Sequence, residues 1–143
     1  MITAIIAFLV VAVALALVVA VARDQGPPVG DVALAYELAW DRLDFEALWS
    51  LSGAELRGGL DRKSYIAAKR AAYKRQPGLG QLATDIGVVD TEVRRAHALA
   101  HTHVVLRDGG TVRNELQLER RGGRWVVVSY QLQPGTVQPG EPR

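Results

Sequence analysis

The chain has 143 residues, 49% of them hydrophobic and 22% charged, with 17 basic against 15 acidic side chains and no Cys. All of those charges fall after residue 22. This patterning excludes, on sequence grounds, both a wholly soluble chain and a multi-spanning one, and leaves room for one small domain.

Ile2 to Ala22 is 21 residues without a charge, Gly or Pro, and Thr3 is its only polar side chain. A helix of that length measures about 31 Å, the thickness of a bilayer's hydrocarbon core. Residues 1–22 are therefore expected to form an uncleaved, single-pass transmembrane helix. The alternative is a signal peptide cut after Ala22, since Ala20-Val21-Ala22 fits a small-x-small cleavage site. Only Arg23 flanks the segment closely, and the positive-inside rule on that residue places the carboxyl-terminal domain in the cytoplasm rather than outside. The missing Cys suits either side.

Residues 23–30 read as a stiff linker around Pro27-Pro28. Asp31 is the expected N-cap of a first helix with Val32, Ala35, Leu38, Ala39 and Leu43 as its apolar stripe, and Tyr36 and Trp40 lie beside it. Asp44 caps a second helix through Phe45-Glu46-Ala47-Leu48-Trp49. Ser52-Gly53-Ala54-Glu55 has capping-box spacing for a further turn, which Gly58-Gly59 breaks. Asp61 or Ser64 opens a third helix that runs to about Arg75 and ends at Pro77-Gly78. Beyond Gly80 the period becomes two. Asp85 to Glu92 is a short strand, and Arg94 to Leu106 a long one with Ala96, Ala98, Ala100, Thr102 and Val104 on one face and His97, His101 and His103 on the other. Asp108-Gly109-Gly110 and Gly122-Gly123 mark hairpins around a strand over residues 111–120. Asn114, Leu116 and Leu118 face one side of it, and Arg113, Glu115, Gln117 and Glu119 face solvent. The last strand, Arg124 to Leu132, places Val126, Val128, Tyr130 and Leu132 together. Residues 133–143 read as a disordered tail. Helices first and an antiparallel meander after make this an α+β domain over 31–132, three helices packed on one face of a curved sheet.

The helix-turn-helix passage Asp41-Arg42-Leu43-Asp44-Phe45-Glu46-Ala47-Leu48-Trp49, the late hairpins and the closing Gly122-Gly123-Arg124-Trp125-Val126-Val127 resemble the NTF2-like superfamily (SnoaL-like, ketosteroid-isomerase-like). The likeness is greatest to small membrane-anchored proteins of this type in actinobacteria, the high-GC Gram-positive bacteria. It implies a cone: a bent sheet wrapped around helices, with a pocket at its open end. It implies no single activity, since such folds serve isomerases, dehydratases, transport factors and structural modules alike.

Three groups of residues could carry function. His101 and His103 are the candidate metal pair, but His97 stands roughly 13 Å along the strand from His101, so a third ligand is missing. Their simpler reading is a half-exposed sheet face. Tyr36, Asp41 and His101 are the candidate catalytic residues of a pocket enzyme, and Tyr36, Trp40 and Tyr130 the candidate ligand-pocket residues. Asp41 and Asp44 already have structural roles at helix ends, so no general base has an evident seat. Arg62, Lys63, Lys69, Arg70, Lys74 and Arg75 form a basic helix that could meet anionic headgroups or an acidic partner, or be an ordinary solvated face. A net charge of +2 and the lack of any recognition motif argue against nucleic acid. The expectation is a membrane-anchored, non-enzymatic module without cofactor or metal that binds a small apolar ligand, another protein or its own copy. The alternatives are a small isomerase or dehydratase and a scaffold subunit of an envelope complex.

Overall fold

The computed structural model describes residues 10–19, 26–74 and 80–133. Residues 10–19 are helical and exposed, and among the described residues no helix is long and apolar enough to cross a membrane. The remainder of the expected span, 1–9 and 20–22, lies outside the described residues, as do 23–25 of the linker, Arg75, Pro77-Gly78 and 134–143.

The domain is α+β. Helices α1 (Val29–Arg42), α2 (Phe45–Leu51) and α3 (Arg62–Lys74), with a 3-10 turn at Ala54–Leu56, precede strands β1 (Ala83–Arg94), β2 (His97–Leu106), β3 (Thr111–Arg121) and β4 (Arg124–Leu132). The strands form one antiparallel sheet in the order β1-β2-β3-β4. Bulges that leave Thr84 and Val89 unpaired in β1 bend it.

Helix α1 starts two residues before Asp31. Pro28 is its N-cap, with its carbonyl accepting from the Val32 N–H at 3.1 Å, and Asp31 sits in the first turn, where its charge favours the helix dipole. The helix ends on Leu43 in the left-handed region (φ 53°), a position where Gly is usual, and the Leu side chain packs on the core. Asp44 caps α2 as its position suggests, its carboxylate accepting from the Ala47 N–H at 3.1 Å. Asp61 does the same for α3, accepting from the Ser64 N–H at 2.7 Å. Ser52 is not the start of a capping box. It is buried in a parallel bridge to Val127, and the Gly53 N–H donates to the Val127 carbonyl at 2.7 Å, which stitches the helical layer to β4.

Two strand assignments change. The strands expected over Asp85–Glu92 and Arg94–Leu106 are both present, but their junction lies later: β1 runs on through Arg94, and the chain turns back at Arg95-Ala96 with Arg95 left-handed (φ 55°). In β4, Gln117 pairs with Ser129 but Leu118 with Val127, so Val128 is bulged out. Trp125 and Val127 therefore face inward before the bulge and Tyr130 after it, while Val126 and Val128 do not join that face. The core lies between the inner sheet face (Ala98, Ala100, Leu116, Leu118, Val127) and the Val32, Ala33, Tyr36 and Ala39 side of α1. Helix α3 covers α2 through Tyr65 and Ile66, with Trp49 and Tyr65 rings 5.4 Å apart. At one end of the sheet, Gly26 lies against the β3–β4 hairpin at Gly123 and Arg124. The other end stays open.

Candidate functional site

The open end holds a cavity of about 630 Å³. Its walls are Ile86 from β1, Val104 and Leu106 from β2 and Val112 from β3, with Trp40 and Leu43 at the end of α1 and Tyr73 at the end of α3. Leu82 and Leu132 stand at its rim, 40% and 58% exposed. The size and apolar lining are those of a small-molecule site.

Its polar element is Glu37. Helical spacing places this residue one turn after Ala33 and on the same side as Trp40, so its carboxylate is carried to the sheet and is only 3% exposed. Three groups donate to it. The Thr102 hydroxyl and the Asn114 amide reach Oε1 at 2.6 and 2.9 Å, and the Tyr130 hydroxyl reaches Oε2 at 2.8 Å. Asn114 also donates to the Tyr130 oxygen at 3.0 Å, which turns the Tyr130 proton toward Glu37. Thr102 and Asn114 face each other across the β2–β3 ladder, so the register itself supplies both donors. Glu37 thus accepts three hydrogen bonds and keeps one lone-pair direction beside the cavity. Burial, and then the Glu37 charge, push the Tyr130 phenol far above its ordinary range, so it acts as a donor.

Of the expected pocket residues, Trp40 and Tyr130 line the cavity. Tyr36 stands behind the cavity wall, edge-on to Tyr130 with ring centroids 5.1 Å apart, and burial raises its phenol. Asp41 also borders the cavity, but its carboxylate accepts the Ala83 N–H at 3.0 Å and its carbonyl accepts the Gln81 N–H at 2.6 Å, so it anchors the entry to β1.

The His residues are on the opposite, outer face. His101 lies between Asp90 (Nδ1 to Oδ1, 2.6 Å) and Glu115 (Nε2 to Oε2, 3.3 Å). The bond to Asp90 above all, with Glu115 adding and burial opposing, raises its pKa. His103 pairs with Asp85 at 3.1 Å, its ring lying over Gly87, where a Cβ would collide with it. His97 is exposed beside Glu119. Among the described residues no group of three or more His, Cys, Asp or Glu is placed to hold a metal ion.

The basic residues of α3 are not gathered into one site. Arg62 and Arg70 both lean on Glu46, at 3.9 and 3.4 Å, and the Lys69 ammonium lies 5.5 Å from the Trp40 ring centre and 5.6 Å from that of Tyr65. Lys63 and Lys74 are exposed.

Sequence reasoning missed Glu37, Thr102 and Asn114 as a unit. The signal was present: each is a polar residue on a face otherwise apolar by period, and three such interruptions on three elements are what a buried network requires.

No protein-family model matches the chain. No curated protein matches it either. Among solved structures, the fold is similar to an NTF2-like protein from Campylobacter jejuni, provisionally named a transpeptidase, with 17% identity over 68% of this chain and 94% of that one and a TM-score of 0.47. It is similar to an NTF2-like protein of unknown function from Silicibacter pomeroyi, with 21% identity over 72% and 91% of the two chains and a TM-score of 0.48. It is also similar to a DUF4783 family protein from Bacteroides ovatus, with 14% identity over 76% and 94% and a TM-score of 0.47.

Proposed function

We propose that the domain is an NTF2-like cone of the membrane-anchored type, tethered through residues 2–22, that binds a small, largely apolar ligand without transforming it. The observation that carries the reading is the Glu37 carboxylate, held by three fixed donors at the wall of an apolar cavity open at one end. Three of its four lone-pair directions are engaged, which suits an acceptor that orients a ligand better than a group that must swing toward a proton. The tether itself rests on the uncharged run of Ile2 to Ala22, with Arg23 favouring a cytoplasmic domain. The outer sheet face and α3 leave room for a protein partner, a second copy or a scaffolding role.

A second reading, an isomerase or dehydratase, draws on one observation: an ionisable side chain and a tyrosine hydroxyl 2.8 Å apart in the cavity wall. In it Glu37, and not Tyr36, Asp41 or His101, would take the proton.

The test uses the full-length chain in lipid nanodiscs. A panel of drug-sized apolar molecules should raise its unfolding temperature, and Val104→Trp, which fills the cavity, should remove the rise. Mass spectrometry of each bound molecule should recover it unchanged. Consumption that stops in Glu37→Gln would replace this reading with the enzymatic one, and no rise from any molecule would overturn both.

A further inference from the structure

We infer that the ligand of this cavity is an organic cation, a protonated amine on a compact apolar body. The inference rests on the ligand-binding reading above. It starts from charge. Glu37 and Asp41 border the cavity, and among the described residues no Lys, Arg or His does. The Asp41 carboxylate has a partner in the Ala83 N–H, but Glu37 is satisfied only by uncharged groups, a hydroxyl, an amide and a phenol. A buried carboxylate is ordinarily matched by a cation on the same chain, and among the described residues none is within the hydrogen-bonding shell of Glu37, which is 3% exposed. The open lone pair on Oε2 is the place where a ligand's N–H would complete the set.

The walls point the same way. Trp40, Tyr73 and Tyr130 present aromatic rings to the cavity, and aromatic faces attract ammonium groups more strongly as water is excluded. The Trp40 ring already draws one cation, the Lys69 ammonium at 5.5 Å, and Lys69 is not among the residues lining the cavity. An anionic ligand would meet two carboxylates and, among the described residues of the lining, no positive charge to offset them. A neutral alcohol could take the open lone pair but would gain nothing from the charge. A protonated amine uses both, while its hydrocarbon body covers Ile86, Val104, Leu106 and Val112.

The experiment compares three probes that share one body: adamantyl amine, adamantanol and adamantane carboxylate. Each is titrated by calorimetry into the full-length chain in nanodiscs, with empty nanodiscs as blank. The expected result is that the amine binds at least tenfold more tightly than the alcohol and the carboxylate not measurably. Glu37→Gln should bring amine and alcohol to within about threefold, a gap of under 1 kcal/mol. Tyr130→Phe keeps the charge and should keep the preference, which holds the test if Glu37→Gln fails to fold. An alcohol that binds as tightly as the amine, or a preferred carboxylate, overturns the cation inference and leaves the apolar pocket standing. No binding by any probe, or equal binding to Val104→Trp, overturns the pocket reading and this inference with it.

Discussion

Asn114→Ala isolates the polar network, because one amide makes two of its bonds. The side chain is 4% exposed and donates to Glu37 at 2.9 Å and to Tyr130 at 3.0 Å. A hydrogen bond to a charged group contributes about 1.5–3 kcal/mol and one between neutral groups about 0.5–1.5 kcal/mol. Glu37 keeps Thr102 and Tyr130, so its charge is not stranded. The expected loss is therefore about 2–4.5 kcal/mol, which at a urea m-value of about 2 kcal/mol/M moves the midpoint down by about 1–2 M. Near-UV circular dichroism of the full-length chain in nanodiscs follows the transition through the nearby Tyr130 and Trp40. The exposed neighbour Gln117→Ala on the same strand should change stability by no more than about 0.5 kcal/mol. Combined with Glu37→Gln, the Asn114→Ala cost should shrink by about 0.5–3 kcal/mol, since the two residues share a bond. A single-variant loss below about 0.5 kcal/mol, or strict additivity in the double variant, would refute the claim that this network holds the carboxylate in place.

On the outer face, His101 should make stability depend on pH. Its folded-state pKa is raised above the ordinary 6.5 by Asp90 first and Glu115 second, so its contribution is full below about 6.5 and is lost as pH rises through the higher folded value. Unfolding midpoints at pH 6 and pH 9 should therefore differ less in His101→Gln than in the parent, and an unchanged difference would remove His101 as the cause. At the mouth, Asp41→Ala leaves the Ala83 N–H without its acceptor and should cost about 1–2 kcal/mol with faster amide exchange at Ala83, whereas Asp41→Asn should retain most of the protection. Equal exchange in the two variants would mean that the carboxylate does not hold β1.

What could be read from the residues was what local chemistry dictates. The caps at Asp44 and Asp61, the Gly-rich hairpins and the solvent face of β3 all arise from side chains acting within a few positions of themselves. The misreadings came from geometry that no local residue announces. Arg95 adopts a left-handed turn with no Gly, Asn or Asp to signal it, so the junction between the first two strands reads as lying before Arg94 and not at Arg95-Ala96. The Val128 bulge shifts the inward face of β4 by one residue, which a strict period of two cannot represent. Ser52 has the spacing of a cap but is claimed by Val127, more than seventy positions later. The site failed in the same manner. Thr102 and Asn114 were seen as members of apolar faces and Glu37 was not singled out, since only the β2–β3 register and the seating of α1 bring the two donors to its carboxylate. Trp40 and Tyr130 were visible because aromatic residues on core-facing positions line whatever space the core leaves.

The two ends of β4 face different company. Its start at Arg124 lies under Gly26, where the chain arrives, and its end at Leu132 stands on the cavity rim, eight residues and about 26 Å away. The doorway is thus on the far side of the domain from the incoming chain. Under the tether and the ligand-binding reading proposed above, the doorway is the end of the domain remote from the point of attachment, so a ligand enters without passing that attachment. Lengthening the stretch before Gly26 should then widen the domain's reach without changing what enters the doorway.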